Sequence, residues 1–192
     1  MENELAHSIN IMLNEVILGK LKNKQNKLLE KFSERRMYNS LPHLSIATKF
    51  MGANDTRNFV EILKNEFKED KIFELEFTDF RPSDTQDYIF LHLSPESERK
   101  IIELHERAFK VTKDIGLEIQ TGNKFRRLNY NYNPHISIIK LNPEEVAKAI
   151  GMIKNDFSGV RMFVSSFYIT RQTDNKDGFS DFPTIDEIKL NN

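Results

Sequence analysis

The residues of this sequence that could carry out a reaction lie in two copies of one short motif. The copies are Pro42-His43-Leu44-Ser45-Ile46 and Pro134-His135-Ile136-Ser137-Ile138, and they differ only in an exchange of Leu for Ile at the third position. The two histidines are about 90 residues apart, so the similarity is internal to the chain but not local. Residues two apart in a β-strand project to the same face, and each histidine should therefore share a face with the serine of its own copy. The apolar residues of both copies should point the other way, into the core: Leu44, Ile46, Ile136 and Ile138.

Two imidazoles that face one phosphate group can act as a general acid–base pair. A neutral histidine takes the proton of the nucleophile while a protonated histidine gives one to the leaving oxygen, and the ordinary pKa of histidine makes both forms accessible. Serine hydroxyls can donate hydrogen bonds to the non-bridging phosphate oxygens, where charge builds in the transition state. We therefore predict His43 and His135 as catalytic residues, and Ser45 and Ser137 as phosphate-binding residues. Because the protein supplies the acid, the base and the donors, we expect no cofactor and no metal ion.

A third His-x-Ser sequence, His92-Leu93-Ser94, shows that the tripeptide alone carries little weight. It lacks the preceding proline and the following isoleucine of the motif. Pro95 makes Ser94 a good helix cap, since proline is favoured at the first helical position. We interpret His92 as a structural residue, and we interpret His105 and His7 as structural or surface residues.

The pattern of apolar residues places both motifs on strands of a chain that mixes strands and helices. Strands are predicted at residues 9–14, 41–47, 73–78, 88–93, 134–140, 160–170 and 184–190. Helices are predicted after the first strand, after Asp55 as a cap, from Ser94 to Gly116, and after Asn142 as a cap. Turns are predicted at residues 81–84 and 174–178. Several strands follow one another through short turns, which favours an α+β fold with a largely antiparallel sheet.

The composition indicates a globular domain and favours a small substrate. The chain has 192 residues, of which 39% are hydrophobic and 30% charged, and no linker divides it, so we predict one domain over residues 1–192. The formal net charge is -1, whereas proteins that hold long duplexes usually carry a basic balance. The lack of cysteine excludes disulfides, thiolate nucleophiles and cysteine-ligated metals. With no long apolar run and no signal-peptide pattern at its first residues, we expect a cytoplasmic protein that does not use a membrane.

The two motifs and their spacing resemble those of the 2H phosphoesterase superfamily, also called the LigT-like or 2′-5′ RNA ligase-like family. The resemblance covers nearly the whole chain, including residues 43–52, the strand and helix that begin at residue 88, and residues 134–140. It implies a bilobal α+β fold of two pseudo-symmetric lobes, with two mostly antiparallel sheets and flanking helices around a central groove. It also implies that the two motif histidines are the acid–base pair and that the two motif serines contact the phosphate.

Members of that family act on 2′,3′-cyclic phosphates, 2′-5′ linkages, ADP-ribose 1″,2″-cyclic phosphate, RNA 3′ ends or cyclic nucleotide messengers. The resemblance therefore implies a hydrolase, a phosphodiesterase for 2′-5′-linked oligonucleotides such as 2′-5′ oligoadenylate or for 2′,3′-cyclic phosphates. Both motifs carry serine, and in this they resemble the motifs of the phosphodiesterase that trims the 3′ end of U6 RNA. Trimming of RNA 3′ ends is therefore one alternative function. Others are a non-catalytic nucleotide-binding module and a protein-interaction scaffold of the same fold. We expect a monomer whose partner is a nucleotide or short RNA, with no obligatory protein partner.

Residues near the second motif are candidates for holding the substrate. Tyr130 and Tyr132 could stack on a base, or could cover the edge of a lobe. Arg127, like its neighbour Arg126, could contact phosphate from a loop rich in Gly and Asn, or could be surface charge. Lys140 matches the basic residue that ends the family's second motif, although in a regular strand it would lie on the face opposite to the motif histidine.

Overall fold

The computed structural model describes residues 5–32, 42–113, 132–154, 157–173 and 182–192. The elements in these ranges follow the order β1 (Leu5–Met12), α1 (Glu15–Leu29), β2 (His43–Met51), α2 (Thr56–Phe67), β3 (Phe73–Pro82), β4 (Tyr88–Leu93), α3 (Pro95–Val111), β5 (His135–Lys140), α4 (Pro143–Ile153), β6 (Val160–Val164), β7 (Ser166–Arg171) and β8 (Thr184–Lys189). A 3₁₀ turn, Ala53–Asp55, leads into α2. The predicted α+β class is confirmed.

The strands form one antiparallel sheet in the order β6-β3-β4-β5-β2-β1-β7-β8. The family resemblance implies two sheets, whereas in the structure two four-stranded halves are joined because β5 of one half pairs with β2 of the other. The described residues give this junction one paired position, Leu44 opposite Ile136. The motif strands β2 and β5 are therefore the two central strands, and each has its preceding strand, β1 or β4, on its outer side.

The sheet curls so that its two ends approach each other. β6 is the first strand in the order and β7 is next to the last, yet only Ser165 separates them in the chain. The strand predicted over residues 160–170 is thus two strands, because β6 pairs with β3 and β7 pairs with β1 and β8. The amide of Leu190 donates to the carbonyl of Ser165 at 2.9 Å, and Lys71 forms an isolated bridge with Asn191, which links the ends.

The helix starts follow the local sequence closely. The Ser94 hydroxyl accepts the amide of Ser97, and Pro95 is the first helical residue of α3. Asn142 and Glu145 form a reciprocal capping box at α4. Asp55 precedes α2 as expected, but its side chain makes no capping hydrogen bond.

Other local predictions need correction or lie outside the described residues. The turn predicted at residues 81–84 begins later, because Arg81 and Pro82 still pair with β4. α3 ends at Val111 and not at Gly116, and residues 114–131 are outside the described part of the chain. The predicted turn at residues 174–178 lies outside it as well.

One apolar core lies between the sheet and the helices. The four motif residues expected to point inward are at most 2% exposed, which confirms that prediction: Leu44, Ile46, Ile136 and Ile138. They belong to one cluster with the buried faces of all four helices. In the described part of the chain, no helix has the length and apolar character needed to cross a membrane.

The Leu44–Ile136 pair gives a test of how the two halves are joined. We expect Leu44→Ala to lower the free energy of unfolding by about 2–4 kcal/mol, because the side chain is fully buried at the junction and its removal leaves a cavity. Denaturation in urea measures the change. The control Val16→Ala, at a side chain 68% exposed on α1, should change stability by less than about 0.5 kcal/mol. Equal effects of the two substitutions would contradict the central role of the pair.

Candidate active site

The first motif strand contains a β-bulge at the isoleucine that ends the motif. Ser45 of β2 lies opposite Asn10 of β1, and the next paired residue is Ala47, opposite Ile9. Ile46 is therefore the extra residue. Both Ile46 and Ala47 are buried, so the alternation of side chains is interrupted at this point.

The second motif strand contains the same irregularity at the equivalent residue. Ser137 of β5 lies opposite Phe90 of β4, and the next paired residue is Ile139, opposite Ile89. Ile138 is the extra residue, and it is buried together with Ile139. The repeat in sequence thus corresponds to a repeat in backbone geometry.

The bulges decide which side chains share a face with the motif histidines. We call this side of the sheet the motif face; it carries His43, Ser45, His135 and Ser137. Beyond each bulge the alternation resumes with a shift of one residue, which brings Thr48 of β2 and Lys140 of β5 to the motif face. Lys140 would lie opposite to His135 in a regular strand, and the bulge at Ile138 is the reason that it does not.

The central position of β2 and β5 places the two motifs side by side. Leu44 lies opposite Ile136, and both side chains are buried in the core. The residues that flank them on each strand project to the other side of the sheet. Those four side chains are half-buried: His43, Ser45, His135 and Ser137. Tertiary structure thus brings together two polar pairs that are far apart in sequence.

Two contacts fix the orientation of the His135 ring. Its Nδ1 lies 2.7 Å from the carbonyl oxygen of Asn133, and its plane stacks on Phe90 with centroids 3.7 Å apart and an angle of 22°. Since a carbonyl only accepts, Nδ1 carries the proton, and in the neutral ring Nε2 is the nitrogen with the lone pair. Burial lowers the pKa of His135 and the charge of His43 lowers it further, against the Asn133 carbonyl and Asp84, which raise it. The resting ring is therefore biased towards the neutral form, with a free lone pair on Nε2.

β4 adds an aromatic row and a fixed cation to the motif face. The rings of Tyr88 and Phe90 are stacked, with centroids 6.1 Å apart. The ammonium of Lys140 lies 4.8 Å from the centre of the Tyr88 ring and 2.9 Å from the carboxylate of Asp87. The hydrogen bond to Asp87 raises the pKa of Lys140, which keeps this side chain charged beside the second motif.

His92 lies beside the second motif, which its interpretation as a structural residue did not anticipate. The register of β4 and β5 puts it opposite His135 and hence on the motif face. Its side chain is 9% exposed, and its Nε2 has no hydrogen-bond partner in the ranges that the structure describes. Burial lowers the pKa of His92, and the charges of Arg81 and His135 lower it further. The alternation of Tyr88, Phe90 and His92 was the sequence signal that could have located it.

Tyr132 is held by two contacts to other parts of the chain. Its hydroxyl donates to the backbone carbonyl of Ser45 at 2.5 Å, and its ring stacks on His105 with centroids 4.0 Å apart and an angle of 9°. Burial raises the pKa of Tyr132, so the hydroxyl remains a donor. The other candidates for substrate contact lie outside the described residues: Tyr130, Arg126 and Arg127.

The two remaining histidines make hydrogen bonds away from the motif histidines. His7 is fully buried, and its ring nitrogens contact the carbonyl of Leu5 and the hydroxyl of Thr56, each at 2.9 Å. His105 of α3 is half-buried and donates from Nδ1 to the carbonyl of Ile46 at 2.7 Å. Both agree with the interpretation as structural residues.

A surface cavity of about 380 Å³ lies elsewhere, between β3, β6 and the start of α3. Three of the charged side chains that line it form ion pairs, since Arg161 contacts Glu74 at 3.2 Å and Glu76 at 3.0 Å. Neither motif contributes to the lining of this cavity. The motif face is therefore the better candidate for an active site.

Comparisons with known proteins found one protein family and several solved structures to which this chain is similar. The chain matches the model of the 2′-5′ RNA ligase superfamily over residues 18–176. A comparison with curated protein sequences found no match. Among solved structures, Escherichia coli LigT complexed with phosphate has a TM-score of 0.69 at 13% identity, and the match covers 100% of both chains. A crystal structure of a phosphoesterase gives a TM-score of 0.72 at 14% identity with the same coverage. The protein TT0787 of Thermus thermophilus gives a TM-score of 0.67 at 14% identity, over 96% of this chain and 97% of that one.

The family match covers most of the chain, and the chain therefore belongs to the 2′-5′ RNA ligase superfamily. The predicted LigT-like, 2H phosphoesterase relationship is confirmed, and the likeness to LigT shows a common fold.

The environment of His135 predicts its titration. We expect the imidazole of folded His135 to titrate below the ordinary value of 6.5, because burial and His43 both oppose its protonation. The unfolded chain then binds this proton more readily, so the contribution of His135 to stability is lost as the pH falls from above 6.5 through the folded pKa. Ring ¹⁵N and ¹³C spectra as a function of pH measure the midpoint and the Nδ1–H tautomer. The urea-denatured chain is the reference, and a folded midpoint at or above that reference would contradict the prediction.

Proposed function

We propose that this protein is a metal-independent phosphodiesterase that acts on 2′-5′-linked oligonucleotides or 2′,3′-cyclic phosphates. One observation carries the proposal: two His-x-Ser pairs project to the same face from adjacent central strands. Membership of the 2′-5′ RNA ligase superfamily supports a phosphoester substrate. The proposal extends the family assignment to a reaction and to the residues that perform it.

In a 2′-5′ linkage the neighbouring 3′-hydroxyl is the nucleophile. One histidine takes the hydroxyl proton as the oxygen attacks phosphorus, and the other gives a proton to the 5′-oxygen as its bond to phosphorus breaks. The products are a 2′,3′-cyclic phosphate and a free 5′-hydroxyl. With a cyclic phosphate as substrate, water is the nucleophile and a ribose oxygen is the leaving group, and the same two histidines serve.

The two histidines take different roles in this proposal. The Nδ1–H of His135 is engaged by Asn133, and burial disfavours its charged form, so Nε2 is suited to accept the proton of the nucleophile. His43 is then the proton donor to the leaving oxygen. Stacking on Phe90 supports this role, since it holds the His135 ring in one plane and reduces the motion that would misdirect Nε2.

The other polar groups of the motif face suit an anionic substrate. The hydroxyls of Ser45 and Ser137 can donate to the non-bridging oxygens, and Lys140 adds a positive charge on the same side of the sheet. E. coli LigT, which shares the fold, has been crystallised with phosphate and with 3′-AMP. These two ligands are therefore suitable first probes for binding to this chain.

Substitution of the motif histidines tests the reaction. We expect His43→Ala and His135→Ala each to lower kcat by about 10²- to 10⁴-fold, the usual contribution of general acid–base catalysis. Turnover of 2′-5′ oligoadenylate, 2′,3′-cyclic nucleotides and short RNA is measured in EDTA by separating the products. His7→Gln is the matched control, because His7 is buried away from the motif face.

The outcomes of this assay separate the possible functions. Activity that survives the loss of both motif histidines would overturn the catalytic assignment, and strict dependence on added metal would overturn the mechanism. Binding of 3′-AMP without turnover of any substrate would favour a non-catalytic nucleotide-binding module. Exclusive shortening of RNA 3′ ends would favour the trimming reaction.

Substitution of the motif serines tests phosphate binding in the transition state. We expect Ser45→Ala and Ser137→Ala each to lower kcat on the order of 10²-fold, since each removes one hydrogen-bond donor to developing charge. Steady-state kinetics with a 2′,3′-cyclic nucleotide measures the effect. Ser165→Ala, at the exposed residue between β6 and β7, is the control. An unchanged kcat in both motif variants would contradict the role of the hydroxyls.

A further inference from the structure

The bulge of each motif is held by a side chain from a helix of the other half of the sheet. His105 of α3 donates to the carbonyl of Ile46, the bulge residue of β2, at 2.7 Å. Gln25 of α1 donates from Nε2 to the carbonyl of Ile138, the bulge residue of β5, at 2.7 Å. In sequence, α1 follows β1 and α3 follows β4, so each helix crosses to the motif strand of the opposite half.

A third hydrogen bond strengthens the first of these contacts. The hydroxyl of Tyr132 donates to the carbonyl of Ser45, the residue just before the bulge, at 2.5 Å. The rings of Tyr132 and His105 are nearly parallel, with centroids 4.0 Å apart. Phe109, one helical turn further along α3, lies 6.3 Å from the His105 ring. Two adjacent carbonyls of the first motif are thus bound by two side chains that also support each other.

The physical need for these donors follows from the strand geometry. A bulge interrupts the regular ladder of backbone hydrogen bonds, and a buried carbonyl without a donor is destabilising. β2 and β5 pair only at Leu44 and Ile136 among the described residues, so their ladder gives little support to the rest of the two motifs. Side-chain donors from other elements therefore bind the carbonyl groups of the motif strands that a neighbouring strand does not bind. These carbonyls lie close in sequence to the proposed catalytic residues.

Tyr132 also links the two motifs through the chain itself. It lies three residues before His135, and its hydroxyl is bound to the backbone of Ser45. The segment that leads into the second motif is therefore tied directly to the first motif. A shift of one motif relative to the other would have to break this hydrogen bond.

We propose that Gln25, His105 and Tyr132 are positioning residues that brace each motif from the opposite half of the sheet and so set the separation of His43 and His135. The inference rests on the proposed function, since it concerns the two groups that must reach one phosphorus. Misplacement of reacting groups by about 1 Å is sufficient to lower a rate by roughly 10²-fold. Three hydrogen bonds of ordinary length can supply that control without touching the substrate.

Tyr132→Phe separates this role from the alternative in which the tyrosine stacks on a base. Phenylalanine keeps the ring and its stacking surface but loses the hydrogen bond to Ser45. We expect kcat for a 2′,3′-cyclic nucleotide to fall roughly 10-fold, with KM changed less than about 2-fold and an unchanged pH profile. Ser165→Ala also removes a hydroxyl, at the exposed residue between β6 and β7, and as the control it should leave kcat unchanged. An unchanged kcat in Tyr132→Phe would overturn the role of its hydroxyl.

The two helix residues are tested with isosteric changes. His105→Phe keeps a ring against Tyr132 and removes the donor, whereas His105→Asn keeps an N–H near the position of Nδ1. Gln25→Met removes the other donor, and Asn26→Met at the next, exposed position of α1 is its control. We expect roughly 10-fold lower kcat in His105→Phe and Gln25→Met, and partial recovery in His105→Asn. Equal kcat in His105→Phe and His105→Asn would show that the hydrogen bond does not matter.

A structural measurement keeps the test independent of the reaction. We expect amide hydrogen exchange over residues 43–49 to accelerate in Tyr132→Phe and His105→Phe, and over residues 135–140 in Gln25→Met, while the control variants exchange like the wild type. If exchange is faster in these variants but the protein turns over no substrate, the positioning role of the three residues stands and the proposed function is wrong. If the enzyme is active and neither exchange nor kcat changes in these variants, the proposed function stands and the positioning role is wrong.

Discussion

The pairing of β2 with β5 at Leu44 and Ile136 is the constraint on which the rest of this structure depends. It joins two four-stranded halves into one sheet, and it makes the motif strands neighbours although they are distant in sequence. The two apolar residues of the pair are anchored in a shared core, and the polar residues on either side of them must then face the same way. The direct passage from β6 to β7 through Ser165 completes the curl that keeps these strands central.

A short junction leaves the motif strands with few hydrogen bonds to each other, and the bulges reduce the regular ladder further. The same bulges are what bring Lys140 to the motif face, so the irregularity that weakens the ladder also extends the polar surface of the site. Gln25, His105 and Tyr132 donate to the carbonyls concerned, and they do so from outside each motif's own half. Support of this kind orients functional side chains without occupying the space that a substrate needs.

Burial has a larger effect on the pKa values of the histidines His135 and His92 than any single neighbouring charge. His135 and His92 lie opposite each other on adjacent strands, and burial is the main reason that the pKa of each is lowered. The charges that oppose this effect, such as Asp84, lie outside the motifs. The lowered pKa favours a neutral His135 whose Nδ1–H is bound to the Asn133 carbonyl, and this preference is created by two neighbouring strands and the segment before β5.

The sequence by itself determined the repeated motif, the helix caps at Ser94 and Asn142, and the inward direction of Leu44, Ile46, Ile136 and Ile138, because caps and alternation depend on residues close in the chain. It could not determine strand order or register, since these depend on contacts between distant segments. The face of Lys140 therefore depended on a bulge that the sequence did not reveal, the strand at residues 160–170 was not divided, and His92 was not placed beside His135. Only the tertiary structure identified Gln25, because a glutamine on an amphipathic helix has no local signal that it will reach a bulge in the other half of the sheet.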